Sequence, residues 1–254
     1  MVQVIDTHAH LDELEDLRPA LTKATEAGVV AVIAVGSNHQ SNQKVMRIAA
    51  DYPGLVYPAI GLHPWELGNM KSNDIDVTLK FIEEKISKIV AIGEIGLDYD
   101  KRVIKVAPKE VQKDILKRIL ALARQYTKPI SIHSRYAWRD AFDMVKEAGL
   151  EKAAFHWFTG FSTVLKDILE SGYLISATPA AEYHQEHRRA IKETPLDKLL
   201  LETDCPVIYG RENKYRSQPA DVVKSLRASA ALKGTDEFVL GRQTTLNAGQ
   251  FFGL

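Results

Sequence analysis

Two histidines, His8 and His10, stand two residues apart where a short apolar run ends, in Asp6-Thr7-His8-Ala9-His10. On an extended chain, side chains two apart point the same way, so the two imidazoles would converge on one point. Neutral imidazole is a good ligand for zinc and its neighbours. Taken alone, the pair fits two surface histidines equally well. Repetition changes the reading. Later apolar runs end in Gly61-Leu62-His63-Pro64, Gly93-Glu94-Ile95-Gly96-Leu97-Asp98-Tyr99, Ile132-His133-Ser134-Arg135, Phe155-His156-Trp157-Phe158-Thr159-Gly160 and Glu202-Thr203-Asp204. Imidazoles and carboxylates in one set suit a divalent-metal centre that activates water for hydrolysis.

Such a set meets in space only if the elements carrying it deliver their ends to one face. Short apolar runs cover residues 2–5, 29–35, 56–60, 89–92, 130–132, 153–155, 173–175 and 199–201. Several are almost wholly apolar, as strands buried on both faces should be. Helical patterns lie between and after them, at 18–27, 43–51, 75–86, 110–125, 137–147, 163–170, 185–194 and 220–232. In the fourth of these, Val111, Ile115, Ile119 and Leu122 recur at spacings of three and four, behind Pro108 as a start signal. Alternating strands and helices imply right-handed βαβ units and a parallel sheet. Eight repeats in 254 residues, close to the ~250 of a typical (β/α)8 barrel, predict an α/β fold of the TIM-barrel type in a single domain, 1–254. A doubly wound open sheet is the alternative. The barrel would gather the strand-end residues at its C-terminal face, where the longest irregular stretches, 97–108 and 205–219, also belong.

Composition narrows the function classes. The chain is 45% hydrophobic and 26% charged, ordinary for a globular domain. Its 33 basic and 33 acidic residues cancel, whereas a broad electrostatic footprint for nucleic acid usually makes a chain basic, so any such contact must use a local patch or be transient. The lone Cys205 permits no internal disulfide and fits a reducing compartment. The opening residues do not read as a secretory signal, and no apolar stretch is long enough for a membrane span, so a cytoplasmic location is expected. His39, His184 and His187 fall in polar or charged helical segments and are read as solvated or capping residues.

The ordered motifs DTHAHLD, GLHPW, GEIGLDY, HSR, FHWFTG and ETDCP resemble those of the TatD family of metal-dependent deoxyribonucleases, within the amidohydrolase superfamily. The resemblance runs from Asp6 to the final residues and implies two divalent ions as cofactors (zinc, magnesium or manganese). It assigns His8, His10 and Asp204 to one ion, His133 and His156 to the other, and Glu94 to a bridge between them. In such a site Asp204 would orient or deprotonate the attacking water, with Glu94 and His63 completing the catalytic set and His63 contacting the phosphate or leaving group. Arg135 shares a face with His133 and could grip phosphate oxygens. Tyr99, Thr159 and Gly160 are candidate substrate contacts, the last two ahead of a helix N-terminus that suits an anion. Asp6 and Glu202 are expected to orient the metal-bound histidines. Trp65, Tyr99 or Tyr215 could stack a base. The basic loops with Lys101, Arg102 and Lys105, and with Arg211, Lys214 and Arg216, are individual to this chain and sit where substrate would be chosen. The implied activity is cleavage of DNA phosphodiesters, as a 3′-5′ exonuclease or damaged-site nuclease, with DNA as substrate and neither a membrane nor an obligate protein partner. The alternative is amide or ester hydrolysis at the same site, as in a D-aminoacyl-tRNA deacylase. A non-catalytic scaffold is disfavoured because no expected ligand is missing.

Overall fold

The apolar runs fold as eight parallel strands, β1 (Val4–Ala9), β2 (Val29–Val35), β3 (Val56–Leu62), β4 (Ala91–Gly96), β5 (Ile130–His133), β6 (Ala153–Phe155), β7 (Leu174–Ala177) and β8 (Leu199–Leu201), hydrogen-bonded in sequence order. The structure is a computed structural model that describes residues 2–254. Helices α1 (Leu17–Glu26), α2 (His39–Asp51), α3 (Ser72–Lys85), α4 (Lys101–Val106), α5 (Lys109–Gln125), α6 (Trp138–Glu147), α7 (Ser162–Glu170), α8 (Gln185–Glu193), α9 (Val222–Lys233) and α10 (Glu237–Phe252) complete a (β/α)8 barrel. One layer of core lies between strands and helices, where Val32, Ile60, Ile92 and Ile130 meet Leu116, Ile119 and Val145. A second gathers Ile5, Ala31, Ile33, Ala59, Ala91 and Leu200 with Phe251 and Phe252 of α10.

The β8–β1 junction closes the barrel differently from the other seven. Thr7 Oγ1 donates to the Leu201 carbonyl at 3.0 Å. The Asp204 N–H then donates to the His8 carbonyl at 2.9 Å, and the His10 N–H to the Cys205 carbonyl at 2.8 Å. The seam is therefore stitched by the same two segments that carry three of the expected ligands.

Several strands run further than their apolar residues suggest, the first and the fourth by the most. The first reaches Ala9 and the fourth reaches Gly96, so Asp6, Thr7, His8 and Glu94 lie inside the sheet. Apolar patterning stops at the first polar residue, whereas a barrel mouth keeps polar side chains in register once they have partners. The structure also adds two helices to the eight expected. The stretch 97–108 is not irregular throughout but holds α4, whose N-cap Asp100 accepts the Arg102 N–H at 2.9 Å. The stretch 205–219 holds an antiparallel hairpin of β9 (Ile208–Tyr209) and β10 (Tyr215–Arg216). Beyond the last expected helix, α10 packs along α9 and contributes the two phenylalanines above. No described helix is long and apolar enough to cross a membrane.

Gly96 ends β4 with φ +147°. A Cβ there would run into the His133 carbonyl of the neighbouring strand. Both backbone strain and collision oppose any side chain, so Gly96→Ala should cost ~3 kcal/mol or more, measured by urea denaturation. A loss below ~1 kcal/mol would show that the strand end can relax and that the close approach is not required.

Candidate metal centre

Glu94 sits at the end of β4, 2% exposed, with its two oxygens turned to different neighbours. Oε2 lies 3.3 Å from His8 Nε2 and 3.3 Å from His10 Nε2. Oε1 lies 2.9 Å from His133 Nδ1, 2.7 Å from His156 Nε2 and 3.4 Å from His63 Nε2. Asp204 Oδ1 joins the first group, 3.6 Å from His8 and 3.4 Å from His10. Glu94 thus faces two clusters of imidazole nitrogens drawn from β1, β5 and the ends of β3 and β6, with the Asp204 carboxylate from beyond β8 beside the first. The ligand atoms of His8, His10 and Asp204 lie within 4.8 Å of one another, as do those of His63, Glu94 and His133.

The rings are aimed by contacts on their far edges. His8 Nδ1 meets Ser131 Oγ at 3.1 Å, His133 Nε2 meets Asp98 Oδ2 at 2.8 Å, and His156 Nδ1 lies 3.4 Å from Glu202 Oε1. Each contact leaves the other ring nitrogen facing Glu94, the arrangement that metal-ligating histidines adopt. His63 differs. Its Nδ1 accepts the Trp65 N–H at 3.2 Å, so in the neutral ring Nε2 carries the proton and acts as a donor. Burial lowers the His63 pKa to about 4, so the ring is neutral at physiological pH.

Burial alone would raise the Glu94 carboxyl, but His63, His156 and His8 overcome it and hold Glu94 well below the ordinary range. Burial likewise opposes ionisation of Asp204, and a hydrogen bond from His10 with the nearby imidazoles outweighs it. Two ionised carboxylates are therefore buried side by side. His8 Nε2, among them, has no hydrogen-bond partner of good geometry, and neither has His10 Nδ1 or His156 Nδ1. Buried charge is costly unless compensated, and a buried orphan nitrogen aimed at two carboxylates is what a cation would satisfy.

Asp204 has φ +49°, a left-handed conformation rare outside glycine. Its neighbour Thr203 is held by Asp6, whose Oδ1 accepts the Thr203 N–H at 2.9 Å and whose Oδ2 accepts the Thr203 hydroxyl at 2.6 Å. Asp6 makes no such contact with an imidazole; it accepts the backbone N–H of His8 at 3.4 Å. Its place is thus to brace the β1–β8 seam rather than to orient a histidine ring, as had been expected of it. Glu202 does reach His156, and also accepts the Trp157 N–H at 3.0 Å.

Above the cluster opens a pocket of about 770 Å³. His10, His63, Glu94, His133, His156 and Asp204 line it, with Arg135, Thr159, Trp65 and Trp138 higher on its wall. Arg135 Nε lies 3.0 Å from Asp98 Oδ2, and its guanidinium lies over Trp65 at 5.0 Å. The Trp65 indole N–H donates to the same Asp98 oxygen at 2.6 Å. Tyr99 and Gly160 are not among the residues lining the pocket. The Tyr99 hydroxyl donates to Asp140 at 2.6 Å, and Lys109 lies over its ring at 4.1 Å, so its position is explained by packing between the β4 loop and α6. Gly160 lies beneath Trp138, where a Cβ would come within 2.5 Å of the ring. Cys205 is buried and its side chain belongs to no ligand group.

Sequence reasoning passed over Asp98 and Ser131. Asp98 is buried and contacts His133, Arg135 and Trp65, while its own N–H donates to Gln112 Oε1 at 2.7 Å. Burial opposes its ionisation, yet the hydrogen bonds from His133 and Trp65 win and hold its carboxyl well below the usual carboxylate range. The available signals were position: Asp98 is four residues past Glu94, and Ser131 is a lone hydroxyl two residues before His133 in an apolar strand.

Comparison with known proteins gives a consistent picture. A family profile described as "TatD related DNase" matches residues 5–253. "Deoxyribonuclease TATDN3" of Homo sapiens is 33% identical, the match covering 99% of this chain and 95% of that protein. "3'-5' ssDNA/RNA exonuclease TatD" of Erwinia tasmaniensis is 30% identical over 94% of this chain and 95% of its own. Among solved structures, the TatD homolog YJJV of Escherichia coli superposes with a TM-score of 0.89 at 26% identity, covering 99% of this chain and 98% of that one.

Of the histidines set apart from the site, His184 is the N-cap of α8, its Nδ1 accepting the His187 N–H at 3.3 Å. His39 opens α2 one residue after the N-cap, Asn38. His187 is neither solvated nor capping, contrary to its charged surroundings in sequence: it is fully buried. Its Nε2 accepts the Thr178 N–H at 3.0 Å and its Nδ1–H donates to the Phe158 carbonyl at 3.0 Å, which fixes one neutral tautomer. Burial lowers its pKa from 6.5 to about 4. Between those values the unfolded chain takes up a proton that the folded chain refuses, so this contribution is intact above pH 6.5 and is lost as pH falls toward 4, by ~3 kcal/mol in all. Urea denaturation at pH 7 and pH 4.5 should show a smaller drop for His187→Gln than for wild type; equal drops would remove His187 from the acid response.

Proposed function

The chain belongs to the TatD related DNase family, and from that premise we propose that it is a divalent-metal-dependent deoxyribonuclease that hydrolyses phosphodiester bonds with water as nucleophile. The observation that carries this reading is Glu94 with one oxygen on His8 and His10 and the other on His133 and His156. His8, His10 and Asp204 would hold one ion, His133 and His156 a second, and Glu94 would bridge them. Such a pair, when bound, lowers the pKa of water and offsets charge on the phosphate. The rest falls to the protein's own groups. Asp204, on the pocket wall and held in its left-handed conformation, orients the attacking water and accepts its proton. His63 Nε2–H, neutral and fixed by the Trp65 N–H, donates to a phosphoryl or leaving-group oxygen. Arg135 holds phosphate oxygens, its guanidinium set by Asp98 and the face of Trp65. Thr159 forms part of the wall on the β6 side. The open mouth and the guanidinium within it favour a strand over a small amide or ester, for which a closed apolar pocket would be expected.

Chelation should abolish cleavage of end-labelled single-stranded DNA, and magnesium, manganese or zinc should restore it. Glu94→Ala and Asp204→Ala should each lose ~1,000-fold or more of the restored rate. Folded, metal-loaded protein that cuts no strand with any of these ions would overturn the nuclease assignment. A second test concerns the brace behind His133. Asp98→Asn should weaken metal binding ~10- to 100-fold by calorimetric titration, because the ring loses its anionic partner; unchanged affinity would confine Asp98 to holding Arg135.

A further inference from the structure

Three aromatic rings form a continuous ridge from the pocket wall to its outer rim. Tyr136 and Trp138 line the pocket, with ring centroids 5.8 Å apart, and Phe161 stands 5.4 Å beyond Trp138. Each pair meets edge to face. Tyr136 is 60% exposed and Phe161 is 68% exposed, whereas large apolar side chains of that kind ordinarily go inside. Trp138 between them is seated on Gly160, whose missing side chain makes room for the indole. Tyr136 has φ +57°, a strained value for an aromatic residue, and such strain gathers at functional sites.

Other aromatic groups near the mouth are already engaged. Trp65 is tied to Asp98 through its N–H and overlaid by Arg135. Tyr99 is outside the pocket and covered by Lys109, and Lys224 lies over Tyr215 at 3.3 Å. Trp157 leans on Tyr209, centroids 5.5 Å apart. The far end of the ridge is anchored by Arg189, whose guanidinium is shared with Glu186 and Glu193. Arg189 donates to the carbonyl of Gly160 and to Ser162 Oγ, on either side of Phe161. With Arg188 and Lys192, against Glu193, it lines an adjoining groove of about 450 Å³.

We propose that Tyr136, Trp138 and Phe161 form a stacking track that receives the bases of a single strand next to the nucleotide being cleaved. The inference rests on the phosphodiesterase reading above and names how that site selects its substrate. Aromatic faces bind bases without regard to sequence, because every base has a π-face. Because each pair meets edge to face, the three ring planes diverge and each base must turn to meet its own ring, which the unstacked bases of a single strand can do and paired bases cannot. The track therefore favours single strands, and it engages bases while Arg135 engages phosphate.

The test measures fluorescence anisotropy of labelled oligothymidylate on the full chain in chelator, beside the same strand with abasic residues replacing all but the 3′-terminal nucleotide. Wild type should bind the abasic strand ~10-fold or more weakly. Tyr136→Ala/Phe161→Ala should bind the normal strand with a similar loss and show little further loss on the abasic one. Phe161→Ala alone, at a rim position off the pocket wall, should give an intermediate loss. Both positions are exposed, and melting temperature checks folding. Equal binding of the two strands by wild type, or equal losses on both strands in the variants, would overturn the track. Manganese-dependent hydrolysis of bis-p-nitrophenyl phosphate by wild type separates the two ideas. A protein that hydrolyses this diester yet ignores bases keeps its assigned chemistry and loses the ridge; one that neither hydrolyses it nor binds the strand loses both.

Discussion

The demand that governs this molecule is electrostatic: Glu94 and Asp204 are ionised, buried and adjacent. Carboxylates so placed must be compensated by groups of fixed position, and the compensation here comes from imidazoles on strands far apart in sequence. Only a closed barrel brings such residues to one point with little freedom left. That explains why the residues of the cluster stand at strand ends, within or next to regular sheet, while the longer loops carry none of them. It also explains the outer contacts. Ser131 and Asp98 each hydrogen-bond the far edge of an imidazole, which sets the direction of those rings, and Glu202 lies 3.4 Å from the far edge of a third.

Asp98 carries this logic from the centre to the mouth. One buried carboxylate reaches a ligand histidine, the guanidinium expected to hold phosphate and the indole over which that guanidinium lies. Gln112 of α5 anchors its backbone through the Asp98 N–H and carbonyl. The base of the site and its phosphate grip thus share one support, and neither can move without disturbing the other.

Much of this was legible in sequence, and the reasons are specific. The convergence of His8 and His10 was readable from their period of two, and that of Glu94, His133, His156 and Asp204 because each closes or follows an apolar run that behaves as a buried strand. The barrel was readable from alternation alone. What escaped depends on partners that the linear chain does not reveal. Tyr99 sits in the motif but turns to Asp140, which lies on α6. His187 looks solvated among charged neighbours, yet its ring is buried against backbone of the β6 and β7 ends. The helix α10 has glycines at 241 and 249 that blur its pattern, and its place is earned by Phe251 and Phe252 in the inner core. Asp6 was read as a partner of imidazole because it precedes His8; its actual partner, Thr203, is 197 residues away.

That separation has a consequence for how the protein comes into being. The bonds that close the barrel, Asp204 to His8 and Cys205 to His10, join the earliest strand to the segment after the last. A growing polypeptide emerging from the ribosome has its first pair of imidazoles long before it has the aspartate that completes their set. Until β8 is in place, those histidines have Glu94 within reach but lack both their seam partner and the second carboxylate that faces them. The candidate centre is therefore one of the last features of the molecule to be completed, assembled only as the cylinder shuts.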